Sequence, residues 1–187
     1  MYQDVNLMML IGFGFLMTFI RTNSWSALAY TFFINAVVVQ LYVLFQPFWA
    51  KVLSEEWNEP KITLLENSFT AASYSVASML IAFGAILGKV GPFELLITAV
   101  IGVFGYCLNE NLVYEKIKAF DAGGSTAIHT YGAFYGIVIS FFLGRVALCK
   151  KSPPVSPVSN TFSMIGTVFL WMYWPSFNAG YFPTSGF

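Results

Sequence analysis

Charged residues in this chain stand in small groups at the ends of long, mostly apolar runs. Uncharged stretches extend from Val5 to Ile20, Thr22 to Ala50, Asn67 to Gly88, Leu95 to Asn109, Ala122 to Gly144 and Ser152 to Phe187. An unpaired charge in hydrocarbon costs about 2.5–3.5 kcal/mol or more, so such runs read as membrane-spanning helices. The pattern predicts six, over residues 5–20, 25–46, 67–88, 92–113, 124–144 and 161–177. A span needs roughly 17–25 residues, so the fourth must outrun its own uncharged stretch, with Glu94 and Glu110 near its ends. Pro92 suits the first turn of that helix, where a missing N–H costs nothing. Trp25, Trp49, Trp171 and Trp174 lie near span ends, where interfacial aromatics collect.

The predicted fold class is all-α, a polytopic membrane protein with one domain over residues 1–187. The only polar connection of any length is Lys51 to Lys61, and the only linker-like one is Ser152 to Val158. Asp4 precedes the first apolar run and no basic segment leads it, so the N-terminus is expected to enter the membrane directly rather than serve as a cleaved signal. Composition agrees: the chain is 57% hydrophobic and 10% charged, a surface too poor in charge for a soluble domain of this size. Nine Lys and Arg balance nine Asp and Glu, which removes the basic footprint of a nucleic-acid binder. The two cysteines, Cys107 and Cys149, stand in apolar contexts and make no disulfide framework.

Orientation rests on a narrow margin. Arg21, Lys89, Arg145, Lys150 and Lys151 fall on one side, and Lys51, Lys61, Lys116 and Lys118 on the other. The excess of one cation makes the first side cytoplasmic, with the N-terminus and the Asp121 loop outside.

Few polar groups lie inside the spans. The one histidine, His129, stands eight residues after Asp121 in the fifth span, about 12 Å deeper at 1.5 Å per residue. An ionisable group there is either part of a substrate path or a neutral imidazole hydrogen-bonded to a neighbouring helix. Low dielectric disfavours the imidazolium, and a neutral ring at a pore lining can accept or donate a proton. Asp121, just before Gly123-Gly124-Ser125, reads as a helix N-cap favoured by backbone N–H groups and the helix dipole. Gly84-x-x-x-Gly88 and Gly132-x-x-x-Gly136 have the small-xxx-small spacing that lets helices approach closely. Ser125 and His129 share a helix face, but no acid is placed to orient the pair and no oxyanion hole is evident, so no enzyme is expected. No GxxxxGK[ST] loop occurs, which leaves no basis for ATP-driven transport, and no cofactor or metal is expected. Twenty Phe, ten Tyr and five Trp supply candidates for an aromatic constriction, which strips water from a small cation and offsets part of the loss by cation–π attraction.

Several segments together resemble one family: Gln3-Asp4-Val5, Gly12 to Phe19, Ala82 to Val90, Asp121 to Ser125 running on to Ile128-His129-Thr130, and Leu170-Trp171-Met172-Tyr173-Trp174-Pro175-Ser176-Phe177-Asn178. They look like the Rh (Rhesus-type) branch of the ammonium transporter family. That resemblance implies a homotrimer of all-helical protomers in the plasma membrane, each with a narrow hydrophobic pore for ammonium or ammonia built from two inverted repeats of five helices. By the same resemblance His129 matches the first of two pore histidines, and Asp121 a structural aspartate beside the outer vestibule. Glu110 resembles the vestibule carboxylate of Rh proteins. Phe177 falls on one of two gate phenylalanines and Tyr74 on the other, where this chain departs from the family by carrying a hydroxyl.

Length is the second departure. Against a family member of eleven or twelve helices, six correspond to the first inverted repeat plus the helix that opens the second, and Gly180 to Phe187 reads as the loop after the sixth. The resemblance thus implies a passive Rh-type path: ammonium gathers at Glu110 and Asp121, loses water between Tyr74 and Phe177, and passes His129 as ammonia or through a relayed proton. The alternative is a truncated, non-transporting fragment or isoform that only packs against full-length relatives.

Overall fold

The computed structural model describes residues 2–21, 23–54, 64–144 and 156–180, and among them every regular element is helical. The first helical stretch, α1, occupies residues 2–19 as Tyr2–Leu7, a π-helical Met8–Phe13, Gly14–Leu16 and a 3-10 turn Met17–Phe19. It is followed by α2 (Ser24–Ser54), α3 (Glu66–Ile86) and α4 (Pro92–Asn111), the last prolonged by a π-helical Leu112–Lys116. Then comes α5, made of a 3-10 turn Ala122–Gly124, a π-helical Ser125–Thr130 and an α-helical Tyr131–Phe142, and finally α6 (Pro157–Ala179). Among the described residues three stretches, Ser24–Ser54, Asn67–Ile86 and Pro92–Lys116, are both long and apolar enough to cross a bilayer. Most of the Lys51 to Lys61 connection, positions 152–155 of the linker, the cations Arg145, Lys150 and Lys151, and the tail beyond Gly180 lie outside the described residues.

Local chemistry sets several boundaries. Pro92 opens α4, and the Glu94 carboxylate accepts the Gly91 N–H at 3.0 Å. The predicted sixth span starts at 161, yet α6 begins four residues earlier: Ser156 caps it by accepting the Ser159 N–H at 3.3 Å, and Pro157 takes the first helical position. What reads as the end of a linker is a helix start. The second span, expected to stop at 46, continues through Pro47 to Ser54.

The central rod is α3. Its apolar window is 72% buried inside the bundle, against 22% for α2, and it packs on α1, α2, α4 and α5. Ala71, Ala72, Ser73, Ser75, Ala77 and Ser78 make this possible, because between helices in lipid close backbone approach replaces the hydrophobic drive of water. The predicted Gly132-x-x-x-Gly136 contact forms against this rod: a Cβ on Gly132 would stand 2.5 Å from the Ser78 carbonyl oxygen, and one on Gly136 2.8 Å from Ala82 Cα. Gly84-x-x-x-Gly88 makes no such contact. Nothing lies within 4 Å of a Cβ at either position, and Gly88 instead turns the chain after α3 with φ +74°. The motif marks a stripe of small residues without saying which neighbour, if any, meets it. Along the other side, α6 lies against α1, where a Cβ on Gly166 would run into the Leu16 and Gly12 backbone.

Candidate functional site

The site begins with the turn into α5. The Asp121 carboxylate accepts the Thr126 N–H through both oxygens, at 3.1 and 3.0 Å, and the Ala127 N–H at 2.9 Å. It caps the next winding from a distance rather than from the N-cap position, which Gly124 holds, by reaching past a left-handed Gly123-Gly124 pair with φ +76° and +70°. Gly123 adopts this conformation without the strain a side chain would bring, and a Cβ there would also displace the Asn178 side chain of α6. The next six residues wind as a π-helix, and the Thr130 hydroxyl donates to the Ser125 carbonyl at 2.8 Å. Ser125 is exposed at the start of this winding.

His129 emerges from this segment into an aromatic group supplied by two other helices. Its ring centroid lies 5.8 Å from Trp174 and 6.0 Å from Phe177, both on α6. Trp174 and Phe177 stack at 5.4 Å with planes 15° apart, and Tyr74 of α3 meets Phe177 edge-on at 5.1 Å and 87°. The Tyr74 hydroxyl donates to the Phe177 carbonyl at 3.3 Å. Phe177 is wholly buried and Tyr74 nearly so, while Trp174 is 45% exposed on the open side of the cluster. The Gly123 backbone provides a hydrogen-bond partner for the imidazole, but Nε2 is buried with none.

Of the five residues singled out from sequence, three therefore converge: Tyr74, Phe177 and His129. Asp121 is linked to them through the turn it caps. Glu110 stands apart. Its carboxylate, 8% exposed, accepts the Tyr42 hydroxyl of α2 at 2.8 Å and the Tyr106 hydroxyl at 3.3 Å, and Tyr106 in turn meets Tyr131 of α5 edge-on at 5.8 Å. Asn109 fixes the two helices nearby by donating to the Ala127 carbonyl at 3.2 Å. Two tyrosine hydroxyls thus satisfy a buried carboxylate that sequence reading places near a helix end. Sequence reading also misses Trp174, taken as an interfacial anchor although it lies three residues from Phe177 on one helix face. Among the described residues no three His, Cys, Asp or Glu side chains converge as a metal site.

The family model described as Ammonium Transporter Family matches residues 1–185. Among curated relatives, the chain is 43% identical over 180 residues to "Ammonium transporter Rh type C-like 2" of Danio rerio, covering 95% of this chain and 36% of that protein. To "Ammonium transporter Rh type C" of Homo sapiens it is 41% identical, with the same two coverages. Its fold is similar to that of Nitrosomonas europaea Rh50, described as one of the Rhesus family of channels, with a TM-score of 0.81, 31% identity, and coverage of 98% of this chain and 48% of that one. The chain thus spans about a third of the curated relatives' length and half of the solved one.

Proposed function

Because this chain belongs to the ammonium transporter family, we propose that it forms one wall of a passive, Rh-type path for ammonium or ammonia, within a plasma-membrane homotrimer. It is an integral membrane protein, and its relatives are named as transporters and channels. The observation that carries the reading is His129 Nε2, a buried ring nitrogen without a partner beside three packed aromatic rings. Such an atom awaits a hydrogen-bonding guest, and a neutral Nε2 accepts an N–H that its low-dielectric surroundings have stripped of water.

The other residues take roles that follow from their partners. Tyr74 and Phe177 close the approach to His129, so cargo passes there by displacing ring contacts rather than through standing water. Asp121 spends its oxygens on backbone N–H groups, and Glu110 on tyrosine hydroxyls. Both favour a cation through their potential at this end of the bundle rather than as direct ligands. The exposed faces of α5 and α6, with Phe134, Phe141 and Trp171 at 66%, 80% and 80% exposure, favour the complementary reading that these helices work packed against others. A purely structural, non-transporting role for the chain is the alternative.

The test is His129→Ala in a full-length Rh-type protein carrying these residues. Expression and membrane insertion are expected to stay near normal while uptake of methylammonium falls or changes its pH dependence. Degradation or misassembly of the variant would assign His129 to packing. The N-terminus and the Asp121 loop are proposed to face outside. Cysteines placed at Ser54 and Ser156 are expected to label from outside and inside respectively, and labelling of Ser156 in intact cells would reverse the topology.

A further inference from the structure

The winding that carries His129 is held by side chains from two other helices. Ser78 of α3 donates its hydroxyl to the Ile128 carbonyl at 3.0 Å, and Asn109 of α4 donates its amide to the Ala127 carbonyl at 3.2 Å. These carbonyls belong to the two residues immediately before His129. Neither bond is the ordinary one for its residue type. A serine inside a helix commonly bonds back to a carbonyl of its own preceding turn, and Ser73 and Ser75 of the same helix do so, to Phe69 and Ala72. Asn111, two residues after Asn109, likewise bonds back to the Cys107 carbonyl at 2.8 Å. Ser78, wholly buried, and Asn109 reach instead across 50 and 18 positions to consecutive carbonyls of one π-helical segment.

The segment is also fixed at both ends. Upstream, the Asp121 carboxylate holds the Thr126 and Ala127 N–H groups. Downstream, the Tyr131 and Tyr135 hydroxyls donate to the Gly102 and Thr98 carbonyls of α4 at 2.9 and 2.6 Å. Between these fixed points the chain is wound more loosely than an α-helix, and a change of winding changes the face on which a residue stands. A looser turn also weakens the regular carbonyl-to-amide ladder, and in lipid no water replaces a lost partner. Donors arriving from α3 and α4 offset that loss at the point where His129 leaves the backbone.

We propose that Ser78 and Asn109 are positioning residues, which hold the Ser125–Thr130 winding in its π-helical form and so aim the His129 ring at Trp174 and Phe177. They act on the backbone before His129 rather than on its ring. What the aim is for rests on the reading of His129 as part of the ammonium path; the aim itself does not.

The test uses the fact that His129 is the only histidine of the chain. With isotope-labelled histidine, the 187-residue chain in lipid gives a single imidazole signal set by magnetic resonance, with a cross-peak between the His129 and Trp174 rings. Ser78→Ala and Asn109→Ala are each expected to lose this cross-peak and to shift the imidazole resonances toward those of free histidine, at unchanged helical content. Ser75→Ala, which removes a buried hydroxyl bonded within its own helix, is expected to change neither, and Asn109→Gln, which keeps the carboxamide, to retain the cross-peak. Lower thermal stability with an unmoved His129 signal, or an equal displacement in Ser75→Ala, would make Ser78 and Asn109 packing residues and overturn the proposal. Asn109 is only half-buried, so its variant is the milder one, and failure of both variants to insert overturns the proposal as well. In a full-length Rh-type protein carrying these residues, Ser78→Ala is expected to lower methylammonium uptake. A displaced ring with unchanged uptake would leave the positioning standing and fault the transport reading instead.

Discussion

At the scale of single residues, Tyr74 carries the most direct test of the proposed path. Its ring does what a phenylalanine would do against Phe177, and its hydroxyl adds a bond to the Phe177 carbonyl at 3.3 Å. A neutral hydrogen bond of that length is worth about 1 kcal/mol or less, so Tyr74→Phe is expected to leave folding nearly unchanged. In a full-length protein it is expected to alter methylammonium uptake, because the variant frees the Phe177 backbone and makes the constriction wholly apolar. Unchanged uptake at equal surface level would place Tyr74 outside the path. What sequence shows at this scale depends on chain separation. Asp121 is legible as a cap because its partners lie five and six residues away, and Tyr106 is within reach of Glu110 by helical spacing alone. Tyr42, separated from Glu110 by 68 positions, leaves no mark in the pattern. Trp174 was hidden for a different reason, since a tryptophan near a span end satisfies the interfacial rule whether or not it also stacks on Phe177.

Among the elements, two glycine pairs of identical spacing behave differently, and the difference can be measured. Gly136→Val pushes a branched side chain into the Ala82 backbone and is expected to destabilise the α3–α5 pair by about 1–3 kcal/mol. Gly84→Ala meets nothing within 4 Å and is expected to be neutral or slightly stabilising, because Ala is favoured over Gly in a helix by about 0.5–1 kcal/mol. Thermal denaturation in detergent separates the two. Equal loss in both variants would mean that the Gly84 face is covered in the assembled protein. The spacing of the charges brackets helices well here, and each predicted span overlaps one. It cannot see the π-helical windings at Met8–Phe13 and Ser125–Thr130, which depend on how neighbouring helices cross and change which face a residue occupies. His129 lies on such a winding, so its aim at Trp174 and Phe177 could not be read from a 3.6-residue period.

For the whole molecule, the decisive feature is that the aromatic group around His129 has one open side. Tyr74 and Phe177 are buried within the bundle, but Trp174 is 45% exposed, and the outward faces of α5 and α6 run on from it through Phe134, Phe141 and Trp171. Aromatic rings tolerate lipid, whereas a path for a small polar molecule needs polar or closed walls on every side, since each unsatisfied group in hydrocarbon costs several kcal/mol. In transporters built from inverted repeats the substrate runs at the interface between the repeats, and the relatives this chain matches are two to three times its length. These 187 residues alone are therefore expected not to conduct. Reconstituted into liposomes and exposed to an ammonium pulse, the purified chain should alkalinise the interior no faster than protein-free liposomes do. Faster alkalinisation that His129→Ala abolishes would mean that copies of this chain close the open side for one another, and that a single repeat supplies a complete path.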